Sequence, residues 1–148
     1  MLISTIKKII TRDLEKLKDE ILLYSDERKI WVTEKKIANS AGNLCLHLVG
    51  NLNTFIGSEI GKTGYIRNRD LEFSMKDVSR EELVSKIGHT ISVVNTSLDS
   101  LQDADMEKEY ALKVLPEKTS TGYFLVHLAC HLGYHLGQVN YHRRLLDT

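Results

Sequence analysis

The stretch HLACHLGYHLGQVNYH, residues 127–142, contains four histidines at intervals of four, four and seven residues. It contains neither proline nor an acidic residue. Residues four apart on an α-helix lie about 6 Å apart along the axis and about 40° apart around it. We therefore predict a long helix with a row of imidazoles along one side, formed by His127, His131 and His135.

Neighbouring imidazoles in such a row can bind one divalent ion, as paired histidines do in many zinc sites. One helix does not easily supply three ligands, because the outer two rings diverge by about 80° and about 12 Å. The third ligand must come from elsewhere, and His47 is the obvious donor, since it lies midway along another predicted helix. The alternative is that these are ordinary surface or hydrogen-bonded histidines, the interpretation we give His89 and His142.

Apolar periodicity predicts three further helices, so we expect an all-α protein, a four-helix bundle forming a single domain over residues 1–148. The second helix is expected to follow a Thr33 cap, and the third to begin at a capping box of Ser79 and Glu82. The predicted bounds of the four helices are about 4–24, 34–60, 79–101 and 119–146.

Two connections, residues 62–78 and 102–118, are long for a helical bundle. Seventeen extended residues reach about 55 Å, which exceeds the roughly 40 Å length of the second helix. Either connection could therefore carry the chain back along the bundle and make successive helices parallel.

Composition excludes several classes of protein. Hydrophobic residues make up 42% and charged residues 27% of the 148, which are globular values. Basic and acidic residues both number 20, so nothing in the net charge attracts nucleic acid or an anionic membrane. No run of about 18 apolar residues suggests a membrane span. Charges at residues 7–13 argue against a signal peptide, and we expect a cytoplasmic protein whose Cys45 and Cys130 are buried and reduced.

The second predicted helix carries a polar seam inside its apolar surroundings. Its members are spaced at three and four residues: Ser40, Asn43, His47, Asn51 and Thr54. Polar groups that face a bundle interior must find partners, and a metal with its bound water would supply some of them. Asn43 and Asn51, one turn either side of His47, are predicted to orient its ring.

Three neutral imidazoles would leave a divalent ion its full charge and at least one open position, which is typical of catalytic sites. Such an ion supplies hydroxide for hydrolysis, or thiolate for transfer to an electrophile. No carboxylate adjoins these histidines in sequence, which slightly favours thiol transfer. A metal-dependent hydrolase and a non-catalytic, metal-stabilised binding module are the alternatives. A di-iron site is disfavoured, because no glutamate precedes any histidine by three residues.

The connection GKTGYIRNRDLEF, residues 61–73, concentrates basic and aromatic side chains. Arg67 and Arg69 are predicted to bind the carboxylates of an anionic thiol at the rim of the site. The alternative is a solvated loop anchored by Tyr65 and Phe73.

Three stretches resemble the DinB-like superfamily and together cover most of the chain. HLGYHLGQ, residues 131–138, resembles its fourth-helix signature His-x-x-x-His-x-Gly-Gln. GNLCLHLVGNLNTFIG, residues 42–57, is similar to its second helix, whose central histidine is the third ligand. TGYIRNRDLEF, residues 63–73, resembles the connection of an uncharacterised branch.

That resemblance implies an up-down-down-up bundle whose long crossover, residues 62–78, joins the second and third helices. It implies zinc or nickel bound by His47, His131 and His135, with His127 adjacent but not a ligand and Gln138 hydrogen-bonded near the site. It also implies a homodimer and a transferase that uses a low-molecular-weight thiol such as bacillithiol or mycothiol as co-substrate.

Overall fold

The computed structural model describes all 148 residues, and its regular elements are helices, without β-strands. Two short 3₁₀ segments, Glu27–Trp31 and Asp103–Glu107, lie in the connections. A π-helical turn, Asn53–Ser58, extends the second helix. The α-helices are α1 Leu2–Leu23, α2 Ala41–Leu52, α3 Arg69–Ser74, α4 Arg80–Asp99 and α5 Thr121–Leu146.

The four long helices share one hydrophobic core. α1 and α2 each pack against both α4 and α5. α1 is amphipathic and buries one stripe at three- and four-residue spacing: Ile6, Ile10, Leu14, Leu17 and Ile21. α2 is different, since every residue from Ala41 to Leu52 is buried, on all sides of the helix. A polar side chain on α2 is therefore held inside the protein.

The predicted starts of the third and fourth helices are confirmed. The hydroxyl of Ser79 accepts a hydrogen bond from the N–H of Glu82, and that of Ser120 from the N–H of Tyr123. Both oxygens satisfy N–H groups that have no partner within their helix.

The predicted start of the second helix is wrong. α2 begins at Ala41, where Ser40 Oγ accepts a hydrogen bond from the N–H of Asn43 at 3.1 Å. Thr33 caps nothing, because residues 32–40 form an irregular segment in which Lys35 has a φ of 55°. Half-buried Ile37, four residues before Ala41, extends the apolar stripe of α2 into this segment and gives a false helical pattern.

The crossover between α2 and α4 is more ordered than predicted, because it contains α3 and packs along α2. The side-chain amide of Asn43 donates to the carbonyl oxygens of Glu72 and Met75, at 2.9 and 2.8 Å. These two hydrogen bonds fasten the crossover to a buried helix. A helix of six residues is too short for periodicity to detect.

Cys45 is buried as expected, whereas Cys130 is exposed. Position 130 lies on the solvent side of α5, about 100° around the helix from position 131. None of the helices combines the length and the apolar composition that crossing a membrane requires.

Candidate metal centre

α2 and α5 bring together the three histidines predicted as ligands, although position 47 is 84 residues from position 131. One ring nitrogen from each of His47, His131 and His135 lies within 4.8 Å of the others. The ring centroid of His47 is 5.1 Å from that of His131 and 5.2 Å from that of His135. His131 and His135, one turn apart on α5, have centroids 4.6 Å apart.

The spacing of two of these nitrogens fits a tetrahedral divalent ion. The Nε2 atoms of His47 and His131 are 3.2 Å apart. Metal–nitrogen bonds of about 2.0 Å at a tetrahedral angle separate two ligand nitrogens by about 3.3 Å. Without an ion, the two nitrogens would face each other, and only one of them could carry a proton. The donor set, all imidazole, suits several divalent metals, among them zinc, copper, iron and nickel.

His131 and His135 are held in the neutral form that binds metal. Burial lowers the pKa of His131 to about 4, and the neighbouring histidines His135, His47 and His127 and the charge of Arg67 act in the same direction. Burial also lowers the pKa of His135, against the opposing effect of its hydrogen bond to Gln138. Both rings are therefore neutral at pH 7, and each has one nitrogen whose lone pair can bind a cation.

Hydrogen bonds at the far side of two rings fix which nitrogen faces the cluster. The Nδ1–H of His47 donates to Oε1 of Glu72 at 3.0 Å, and the Nδ1–H of His135 donates to Oε1 of Gln138 at 2.6 Å. Each bond leaves Nε2 unprotonated and available, an arrangement typical of metal-binding histidines. The buried Nδ1 of His131 has no hydrogen-bond partner.

Glu72 is the residue of this site that the sequence did not reveal. It lies on α3 and is 6% exposed. Its two carboxylate oxygens accept hydrogen bonds from Nε and Nη2 of Arg67, at 2.8 and 2.9 Å. Burial raises the pKa of Glu72, but hydrogen bonds from His47 and Arg67 outweigh that effect and hold the pKa below its ordinary value. The carboxylate is therefore ionised, and it anchors the imidazole of His47.

Gly50 and Phe73 also help to hold Glu72 and His47 in place. Gly50 lies on α2, one turn after His47, and a Cβ at this position would collide with Oε2 of Glu72. The absence of a side chain at position 50 thus lets the carboxylate reach the helix. Phe73, next to Glu72, packs its ring against that of His47 with centroids 4.9 Å apart.

The other residues predicted for this region lie in different positions. Gln138 contacts His135 as described, whereas Asn43 holds the crossover and makes no hydrogen bond to His47. Asn51 is buried with its Oδ1 unpartnered. His127 lies outside the three-histidine cluster and stacks on Phe124, with centroids 5.8 Å apart.

The two arginines predicted to bind substrate have different surroundings in the structure. The guanidinium of Arg67 is occupied by Glu72. Arg69 is exposed, and its guanidinium lies 5.2 Å from the ring centre of Phe73. The remaining histidines match their predicted roles: His142 is hydrogen-bonded in the core to Tyr24 and Val32, and His89 is on the surface.

Fold and site together define a class: an all-helical protein with three convergent imidazoles that could hold a divalent ion. The chain belongs to the family described as "Protein of unknown function (DUF1572)", whose model matches residues 2–148. Comparison with curated proteins finds no match.

Proposed function

We propose that this protein is a divalent-metal-dependent enzyme of the DinB-like type that transfers a low-molecular-weight thiol to small electrophiles. The observation that carries the proposal is the convergence of three imidazole nitrogens within 4.8 Å. An ion held by three neutral ligands keeps an open position, and it lowers the pKa of a thiol bound there. Zinc or nickel is the proposed metal, because both accept imidazole ligands.

Thiol transfer is favoured over hydrolysis by the state of the nearest carboxylate. A metal hydroxide usually works with a free carboxylate as general base, which must lie within hydrogen-bond reach of the water. Glu72 is the carboxylate beside the cluster, yet its oxygens accept hydrogen bonds from His47 and Arg67. Its lowered pKa also makes it a weak base. We therefore assign it to positioning His47 rather than to proton transfer.

Arg69 is the better candidate for binding the carboxylate of an anionic thiol, since its guanidinium is exposed. Arg67 would contribute indirectly, through Glu72. A cytoplasmic location is part of the proposal, because that compartment keeps small thiols reduced.

We also infer that the long helices run up, down, down and up. Contacts at both ends of α1 support an antiparallel α4 and a parallel α5. The pairs are Lys7–Asp99 and Tyr24–Arg80 with α4, and Leu2–Gly122 and Glu20–Asn140 with α5. α2 is antiparallel to α5, since His47 neighbours His135 while Phe55 neighbours Phe124. In this order the crossover joins two parallel helices.

The proposed assembly is a homodimer formed through the first half of α5. Tyr123, Val126 and Cys130 are exposed on one side of this helix, and exposed Leu2 lies beside its start at Gly122. Sedimentation at micromolar concentration should show a dimer that Val126→Glu disrupts and Leu22→Glu, at an exposed position elsewhere, does not. A monomer at that concentration would contradict the proposal.

The decisive experiment is metal analysis followed by turnover. The purified protein should hold about one zinc or nickel ion per chain, and His131→Ala and His135→Ala should remove most of it. His89→Ala, at an exposed position, is the matched control. Full occupancy in both ligand variants would refute the site. Metal binding with neither thiol transfer nor ester hydrolysis would instead favour a metal-stabilised binding module.

A further inference from the structure

A groove of about 530 Å³ opens beside the metal centre, between residues 36–39 and the second half of α5. His135 and Gln138 lie in its wall, so the groove adjoins the ligand cluster. Its volume is that of a small-molecule site. Residues 135 to 145 span ten positions of α5, which gives the groove a length of about 15 Å.

The wall is mostly apolar. Ile37 and Leu44 line one side, and Tyr134, Tyr141 and Leu145 line the other. The three residues on α5 are each more than 60% exposed, which is unusual for large apolar side chains on one helix. A ligand with an aliphatic or aromatic body would cover them.

The charge of the wall is positive. Lys36 is its one charged side chain, and no aspartate or glutamate lines the groove. His135 and His142 also line it, and neither is an anion that would oppose Lys36. Electrostatics thus favour an anion over a neutral or cationic molecule of the same shape.

Gln138 adds a directional donor. Its Oε1 accepts the hydrogen bond from His135, which leaves the amide NH₂ free at the wall of the groove. An amide in this state donates to a carbonyl, carboxylate or ether oxygen of a ligand.

We propose that the groove binds the body of an elongated, mostly apolar acid whose thiol head reaches the metal, which makes the thiol co-substrate an amphipathic mercapto acid. This substrate class rests on the proposed thiol transfer. A second copy of the chain is a poorer occupant, because the groove is concave and the apolar surface assigned to the dimer lies on the first half of α5.

The test compares mercaptopropanoate, mercaptohexanoate and mercaptoundecanoate on the zinc-loaded protein by calorimetry. Affinity should rise about two- to fourfold per added methylene until the groove is filled. Tyr141→Ala should flatten this dependence, and Lys36→Glu should weaken binding about tenfold for those chain lengths whose carboxylate reaches position 36. Leu22→Ala, at an exposed position on α1 outside the groove and the proposed dimer interface, should change neither. Equal affinity at all lengths would contradict binding in the groove, but it would remain compatible with a thiol bound to the metal.

A second measurement separates this proposal from the function on which it rests. Decanoate lacks a thiol, so it tests the groove on metal-free protein. It should shift the amide NMR signals of Ile37, Leu44 and Leu145, and Tyr141→Ala should weaken that effect. If no mercapto acid binds the metal yet decanoate shifts these signals, thiol transfer fails and the groove stands. If decanoate shifts no signals, the groove proposal is wrong. It is also wrong if the signals change with protein concentration instead, because a second copy of the chain then occupies the groove.

Discussion

The Nδ1 of His47 lies 3.0 Å from Oε1 of Glu72, although 25 residues separate the two in the chain. The carboxylate arrives on the crossover, from a short helix that the buried α2 holds in place through Asn43. This contact fixes the tautomer of the imidazole and directs Nε2 at His131 and His135. Metal binding and docking of the crossover are therefore linked, and each should stabilise the other.

The first prediction uses Gly50, where an added Cβ would displace the carboxylate of Glu72 without changing any charge. Gly50→Ala should weaken zinc binding about 10- to 100-fold, the usual cost of losing a group that orients a ligand. Glu72→Gln should act in the same direction. Competition with a chromophoric chelator measures both.

Gly88→Ala is the matched control, since a Cβ there would meet nothing within 4 Å. The cobalt-substituted protein gives a second readout, because its visible spectrum reports ligand geometry. Wild-type affinity and an unchanged cobalt spectrum in Gly50→Ala would show that Glu72 does not position His47.

The two histidines on α5 and the third on α2 could be predicted from sequence as one cluster, for different reasons. His131 and His135 share a helix, and their spacing alone brings them to one side of it. His47 can be predicted because it lies midway along the second predicted helix, within a seam of polar residues. Glu72 has no such signal: it lies in a connection, and its neighbours Arg69 and Asp70 are exposed. Only the tertiary packing of the crossover brings it to the site.

The second prediction concerns Arg67, whose role the structure changes from a substrate contact to the partner of a buried carboxylate. Arg67→Ala should lower the free energy of unfolding by about 3 kcal/mol, because it leaves Glu72 buried with only His47 as partner. Arg69→Ala should cost less than about 1 kcal/mol, since an exposed cation–π contact is weak. Urea denaturation of the metal-free proteins measures both. Equal losses in the two variants would contradict the assignment.

The third prediction is that the metal-free protein loses stability as the pH falls from about 6.5 towards 4. The pKa of His131 is lowered to about 4 by burial, while the unfolded chain titrates near 6.5. Between these values the unfolded state binds more protons, so acid favours unfolding. Solvent screening of this half-buried ring reduces the effect to about 1–2 kcal/mol. Denaturation midpoints at several pH values should show this slope. His131→Phe should reduce it, and the remainder comes from His135 and His142, whose pKa values burial also lowers.

The fourth prediction tests the mechanism. If the ion activates a thiol, turnover should require a low-molecular-weight thiol and should rise with pH until the metal-bound sulfur is deprotonated. For a thiol with more carboxylates than Lys36 can bind, Arg69→Ala should then raise KM more than it lowers kcat, because Arg69 would contact a carboxylate remote from the reacting sulfur.

His47→Ala should do the opposite and abolish turnover while the helical fold is kept, since it removes a ligand and frees Glu72 from the site. Circular dichroism checks the fold, and steady-state assays with and without thiol check the reaction. Hydrolysis of an ester at the same rate without any thiol would overturn thiol transfer. In that case a metal-bound hydroxide is the nucleophile, and Glu72 must leave His47 or Arg67 before it can serve as the base.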